Sequence, residues 1–189
     1  MNEWKVNQVK DSVDCHIFNV ERVEKTNPAG KVGDYIKIKS PDWALAIIKT
    51  KDNKYLMTHQ YRHGSDTYLT EFPCGIIEKD ESPMDAAIRE AEEEEVCIDK
   101  SKIISIRKLY QKKTNPGFMS NTMFAFLIEI DEYYVEVFNR YNDDAQDDDE
   151  FIDLIHLDSA GVDEVMNHED TSVMMWSAWV EAKKILFKE

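Results

Sequence analysis

One stretch limits the fold and chemistry of this chain more than any other: Ser82-Pro83-Met84-Asp85, followed by an Ala- and Glu-rich run to about residue 96. Ser82 suits an N-cap, Pro83 the first helical position, and Asp85 the positive end of a helix dipole. Alanine and glutamate are strong helix formers, so the spacing predicts a helix from residue 84 to about 96. Its second half reads Arg89-Glu90-Ala91-Glu92-Glu93-Glu94-Glu95. At about 100° per residue, Glu90, Glu93 and Glu94 share one face, whereas Glu92 and Glu95 point elsewhere. Ala86 and Ala87 lie one turn earlier and make that face low and open. Arg89 and Glu93 are four residues apart and suited to an ion pair.

Such a face is costly in isolation. Like charges at i,i+4 repel, and carboxylates near a helix C-terminus oppose the macrodipole. A hard divalent cation such as Mg²⁺ or Mn²⁺ reverses both penalties, because it takes carboxylate, water and phosphate oxygens as ligands. The alternative is a solvated acidic surface helix.

Composition narrows the partners. The chain has 189 residues, with 23 Lys and Arg against 38 Asp and Glu, for a formal net charge of −15. That balance argues against nucleic acid and against an anionic membrane, both of which are read by basic surfaces. Hydrophobic residues make up 42 %, a globular fraction, and the length fits one domain with at most a smaller appendage. Cys15, Cys74 and Cys97 are too few for a disulfide framework and fit a reducing compartment. The longest apolar runs, 43–48 and 123–128, are too short to span a bilayer, and residues 1–12 hold no apolar signal core. A cytoplasmic protein is therefore expected.

Residues 13–39 read as short strands, with a turn at Asn27-Pro28-Ala29-Gly30. Strands 44–49 and 55–61 form a hairpin around Lys51-Asp52-Asn53-Lys54. Residues 71–77 are extended, and Pro73 limits their pairing. Strands follow at 103–110, 122–130 and 151–157. Asp170 or Thr171 caps a last amphipathic helix, with Trp176 and Trp179 packing it on the sheet. This order gives an α+β layout, with residues 1–45 as a small N-terminal β subdomain and 46–189 as the main domain.

Gly75, five residues, Glu81, seven residues, Arg89-Glu90, Ala91, Glu92 and Glu93-Glu94 together resemble the Nudix box. The resemblance implies a Nudix-type α/β/α sandwich with a mixed sheet, and metal-dependent hydrolysis of a nucleoside diphosphate linked to another group. Glu90, Glu93 and Glu94 match metal-binding glutamates, the Cys74 carbonyl a common extra ligand, and Glu81 a support of the metal shell. Arg89, Glu93 and Glu94 are the expected catalytic residues of the box. Mg²⁺ is the implied metal, with Mn²⁺ able to replace it. Val96 stands where the family has a glycine, so a rebuilt helix exit is expected.

The flanks resemble the ADP-ribose and nucleotide-sugar pyrophosphatases. The matching segments are His59-Gln60-Tyr61-Arg62, Glu71-Phe72-Pro73-Cys74-Gly75, Asn115-Pro116-Gly117-Phe118, and the acidic stretch 143–150 with Glu150-Phe151-Ile152-Asp153. Arg62 is a candidate phosphate ligand or a strand-end surface arginine. Glu71 binds a ribose, supports the site, or is a satisfied loop carboxylate. By position in the resemblance, Glu150 or Asp148 acts as base or as a further metal ligand. The implied partners are a small-molecule nucleoside diphosphate substrate and a second copy of the chain, reached by its N-terminal strands. The competing functions are hydrolysis of another nucleoside diphosphate derivative, and an idle nucleotide-binding sensor.

Overall fold

The structure, a computed structural model, describes residues 3–93, 98–132 and 152–187, with only the backbone of Glu93. The chain divides into two compact units, Met1–Asp42 with Lys112–Met123, and Trp43–Gln111 with Phe124–Glu189.

The first unit is built on an antiparallel sheet of β1 (Lys5–Asp14), β2 (Asn19–Thr26) and β3 (Val32–Lys39), in that order. The predicted turn joins β2 to β3. Gly30 takes φ +82°, where a side chain is disfavoured, and the Asn27 side chain accepts from the Ala29 and Lys31 amides at 2.9 Å. Strand β1 extends further back than the expected start at residue 13. All of it is exposed, and register shifts at Val6/Gln8 and Val9/Asp11 spoil the alternation that marks a strand. The Asn115-Pro116-Gly117-Phe118 segment is sewn to β3: Ile38 donates to the Phe118 carbonyl at 2.8 Å and accepts from the Ser120 amide at 3.0 Å.

The second unit is an α+β sandwich. Its strands are β4 (Trp43–Lys49), β5 (Tyr55–Arg62), β6 (Thr67–Glu71), β7 (Cys74–Ile76), β8 (Ile103–Lys113), β9 (Thr122–Ile130) and β10 (Ile152–Leu157). The sheet runs β10-β5-β4-β9-β8, with β6 paired to β5 and β7 to β4. The helices are α1 (Pro83–Glu93), α2 (Ser159–Met166) and α3 (Val173–Leu186).

Alternation along β4 decides what each sheet face meets. Ala44, Ala46 and Ile48 pack with Ala86, Ala87 and Ala91 of α1. The alanine face of α1 is thus buried, whereas the sequence alone predicts an open face. Methyl groups on both surfaces let the helix approach β4 closely. On the opposite face, Trp179 of α3 packs edge-on against Tyr55, with centroids 4.9 Å apart, and against Phe72 at 6.2 Å. Trp176 is 48 % exposed, so only one of the two tryptophans packs the helix. The α3 cap is Ser172, whose hydroxyl accepts from the Met174 amide, rather than Asp170 or Thr171. Two elements carry no clear signature in the sequence: β6, which follows a turn with Asp66 at φ 54°, and α2, too short to show periodicity.

Asp163 of α2 clamps α3. Its carboxylate accepts from Trp179 Nε1 at 2.7 Å and Lys183 Nζ at 2.6 Å. Lys183, and then the indole, hold this carboxyl below its ordinary range against a desolvation cost. A group with a depressed folded pKa stabilises fully above its unfolded value, and the effect fades as pH falls through the folded one. Asp163→Ala, which strands a buried indole N–H, is expected to cost about 1–2 kcal/mol in urea unfolding at neutral pH. The gap between variant and wild type should close on acidification below the ordinary aspartate value of 3.8.

Candidate active site

The start of α1 forms as the sequence predicts. Ser82 Oγ accepts from the Asp85 amide at 3.1 Å and donates to the Asp85 carboxylate at 2.6 Å, while its carbonyl accepts from the Ala86 amide at 3.0 Å. This cap sets the rotational phase of the helix, and the phase decides which glutamate turns inward. Glu90 lies one turn beyond Ala86 and Ala87, so it continues their buried face and is 7 % exposed.

The Glu90 carboxyl lies directly on Gly75 of β7, and a Cβ at that position would overlap it. Gly75 does not have a positive φ. Its role is therefore to leave space for a carboxylate, not to supply an unusual backbone conformation.

Arg89 ties the loop before the helix to this carboxylate. It donates from Nη1 to Glu90 Oε1 at 2.7 Å, and from Nε and Nη2 to Glu81 at 2.9 and 3.0 Å. Nη2 also reaches the Ile76 carbonyl at 2.8 Å. Glu81 accepts in addition from the Glu78 amide at 2.9 Å. Arg89, and then that amide, hold the Glu81 carboxyl below the usual carboxylate range. Arg89 thus acts as a positioning residue, and Glu81 supports Glu90 through it. The Ile76 carbonyl was not singled out from the sequence, because a backbone acceptor leaves no mark in residue identity.

Two carboxylates meet on one guanidinium here, with Glu90 buried, so hard oxygen donors are gathered beside Gly75. Carboxylate and peptide carbonyl oxygens are hard donors, and the Cys74 carbonyl adjoins Gly75 in the strand paired to β4. This donor set fits Mg²⁺ or Mn²⁺. The side chain of Glu93, all of Glu94 and Val96, and Asp148 and Glu150 lie outside the described residues. So do the expected Arg89–Glu93 pair and the helix exit.

Arg62 and Glu71 come together through the β5–β6 pairing, in which Arg62 faces Thr67 and Thr58 faces Glu71. Arg62 Nε donates to Glu71 Oε2 at 2.5 Å, and Glu71 is 6 % exposed. Glu71 is therefore a buried partner of Arg62, and Arg62 is not a loose surface arginine. Among the described residues the guanidinium has no other partner. Phe72 and Pro73 join this pair to the box. Phe72 is fully buried, and the Pro73 carbonyl accepts from the Ala46 amide at 2.9 Å.

Gly75→Ala gives a test whose sign is informative. Alanine in place of a strand glycine ordinarily gains about 0.5–1 kcal/mol. Here the added methyl displaces Glu90, so a loss of about 1–3 kcal/mol in urea unfolding is expected, as for other overpacked sites. Truncating Glu90 to alanine in the same chain should reduce that loss, because it removes the collision.

Comparison with known proteins agrees with this geometry. The family model for the NUDIX domain matches residues 40–189. Over 132 residues the chain is 32 % identical to the methanol dehydrogenase activator of Bacillus methanolicus, covering 69 % of this chain and 65 % of that protein, just under two thirds of its length. Over 145 residues it is 30 % identical to an ADP-ribose pyrophosphatase of Bacillus subtilis (strain 168), covering 77 % of this chain and 70 % of that one. A crystal structure of an ADP compounds hydrolase shares the fold, with a TM-score of 0.74 at 18 % identity, over 98 % of this chain and 95 % of the other. The capped helix, the carboxylate seated on Gly75 and the matched family model lead to one conclusion: this chain belongs to the Nudix hydrolase family and is similar to its ADP-ribose pyrophosphatases.

Proposed function

We propose that the chain hydrolyses the pyrophosphate bond of ADP-ribose or a related nucleoside diphosphate sugar. The products are a nucleoside monophosphate and a sugar phosphate. The observation that carries this reading is the buried Glu90 carboxylate, fixed against Gly75 and bonded to Arg89. Its cost is offset when a divalent cation sits beside it.

Glu90, Glu93, Glu94 and the Cys74 carbonyl would hold Mg²⁺, with Mn²⁺ able to replace it. The metal supplies charge neutralisation at the phosphates and a more acidic water. The chain's own residues do the rest. Arg89 and Glu81 keep the Glu90 carboxylate in place. Glu93, Glu94, Glu150 and Asp148 are the candidates to take the proton from the attacking water. Arg62, fixed by Glu71, directs its remaining N–H groups to a phosphate oxygen. The similarity to ADP-ribose pyrophosphatase favours an ADP-ribose-like substrate.

The reading includes a homodimer formed through the N-terminal strands. Its support is the row of exposed apolar residues on that unit, among them Trp4, Val6, Val9, Val13 and Ile36, which a second copy would cover. A cytoplasmic location is proposed from the free cysteines Cys15 and Cys74. Among the described residues no helix is long and apolar enough to cross a membrane.

The assay is a panel of nucleoside diphosphate derivatives with Mg²⁺, following phosphate released by a coupled phosphatase. ADP-ribose should be cleaved to AMP and ribose 5-phosphate, EDTA should abolish turnover, and Glu94→Gln should lower kcat by about 100-fold or more. Turnover of a different panel member alone would move the substrate assignment. Tight ADP-ribose binding without turnover of any compound would make the protein a sensor. Light scattering should give twice the chain mass, and a monomer would refute the dimer.

A further inference from the structure

The face of the β5–β6 hairpin turned away from Arg62 takes no part in the proposed chemistry. Strand alternation fixes its members. Arg62 and Glu71 are bonded to each other on one face. His59, Tyr61, Tyr68 and Thr70 therefore lie on the other, with His59 opposite Thr70 and Tyr61 opposite Tyr68. In β10, Asp153 stands opposite His59 and shares that face. The rings form a continuous row. His59 stacks on Tyr68 with centroids 5.5 Å apart, and Tyr61 meets Tyr68 edge-on at 5.3 Å and His63 at 5.2 Å. His59 Nδ1 is 2.9 Å from Thr70 Oγ1, a hydrogen bond that holds the imidazole in place. Tyr68 is 59 % exposed and Tyr61 38 %.

Cross-strand aromatic pairing stabilises a hairpin and accounts for the contact between the two tyrosines. It does not account for the charge around them. Asp66, in the turn, accepts from the Tyr61 hydroxyl at 3.3 Å, and Asp153 borders the row at its other end. Both are exposed, and neither has an ion pair among the described residues. The sequence supplies no cation to this face. Strands β5, β6 and β10 hold one Lys or Arg between them, Arg62, which lies on the opposite face and is bound to Glu71. Residues 63–66 of the turn hold none. The face of an aromatic ring is the negative side of its quadrupole, so the rings and the carboxylates attract the same kind of group, a cation.

We propose that this face docks a basic segment of another protein, anchored by an arginine side chain. One side of the Tyr68 ring is covered by His59, and the guanidinium stacks on the other. Asp66 and Asp153 receive the neighbouring positive charges of the same segment. Sites for small molecules are concave, whereas this surface is the open side of a hairpin, which suits an extended segment. The net charge of −15 steers a basic partner toward the chain. The inference does not rest on the proposed hydrolysis.

The probe is a capped hexapeptide alternating arginine and glycine, with its lysine counterpart for comparison, titrated into the full chain at low salt and followed by chemical shifts. The arginine peptide should bind saturably, shift the amides of residues 59–70, and show its own side-chain protons moved upfield by the tyrosine ring. The lysine peptide should bind about twofold or more weakly, because an ammonium does not stack. Tyr68→Leu should weaken binding about fivefold, and Tyr68→Phe, which keeps the ring, should restore it. Asp153→Asn, an exposed substitution that leaves the fold intact, should weaken it about twofold. Glu164→Gln, an exposed acid on α2, should change nothing. No saturable binding, equal binding of the two peptides, indifference to Tyr68→Leu or Asp153→Asn, or an equal loss in Glu164→Gln would overturn the proposal. So would a lower mass of Tyr68→Leu than of wild type by light scattering, which would make the occupant a second copy of this chain.

Discussion

A carboxylate held against a glycine backbone organises the second unit. Glu90 rests on Gly75 because small residues let α1 and the sheet approach closely: Ala86, Ala87 and Ala91 on the helix, Ala44 and Ala46 on β4. A larger side chain on either surface would lift the helix and free the carboxylate to turn to water. The Ser82 cap fixes the phase of the same helix, and Arg89 binds its second turn back to Glu81 and to the Ile76 carbonyl. The core packing and the candidate metal site are thus one construction. The methyl groups position the helix, and the helix positions the charge.

That construction gives meaning to part of the charge of −15. Buried or half-buried carboxylates raise the free energy of the fold unless they are paired or hydrogen-bonded. Here one guanidinium serves both Glu81 and Glu90. Other acids have a cation each, as with Asp163 and Lys183 or Glu71 and Arg62. An acidic protein acting on an anionic substrate looks contradictory until the cation is included. The cation then supplies the attraction that the acidic surface lacks.

The parts legible in the sequence were those with a local physical signature. Ser82-Pro83 and the glutamate spacing gave the helix and its cap. Lys51-Asp52-Asn53-Lys54 gave the β4–β5 hairpin, and Asn27-Pro28-Ala29-Gly30 the β2–β3 turn. Four features were not legible, each because long-range contacts decide it. Strand β1 is fully exposed and bulged, so it carries no alternation. Strand β6 depends on pairing with β5, and α2 is eight residues long. The alanine face of α1 looked open because the sequence does not show that β4 is its partner. At the candidate site, Gly75 and Glu81 are named through the resemblance to the Nudix box, and Glu90 also through its helical spacing. The direction of the Arg89 hydrogen bonds and the Arg62–Glu71 contact required the fold.

The central claim is that the glutamate face of α1 is a divalent-cation site. The most direct measurement is Mn²⁺ binding by electron paramagnetic resonance, comparing the wild type with Glu90→Gln/Glu94→Gln, after circular dichroism shows both folded. The account predicts that the wild type depletes the sharp signal of free Mn²⁺ and that the double variant leaves it nearly intact. Equal depletion by the two proteins, or none by the wild type, would contradict it.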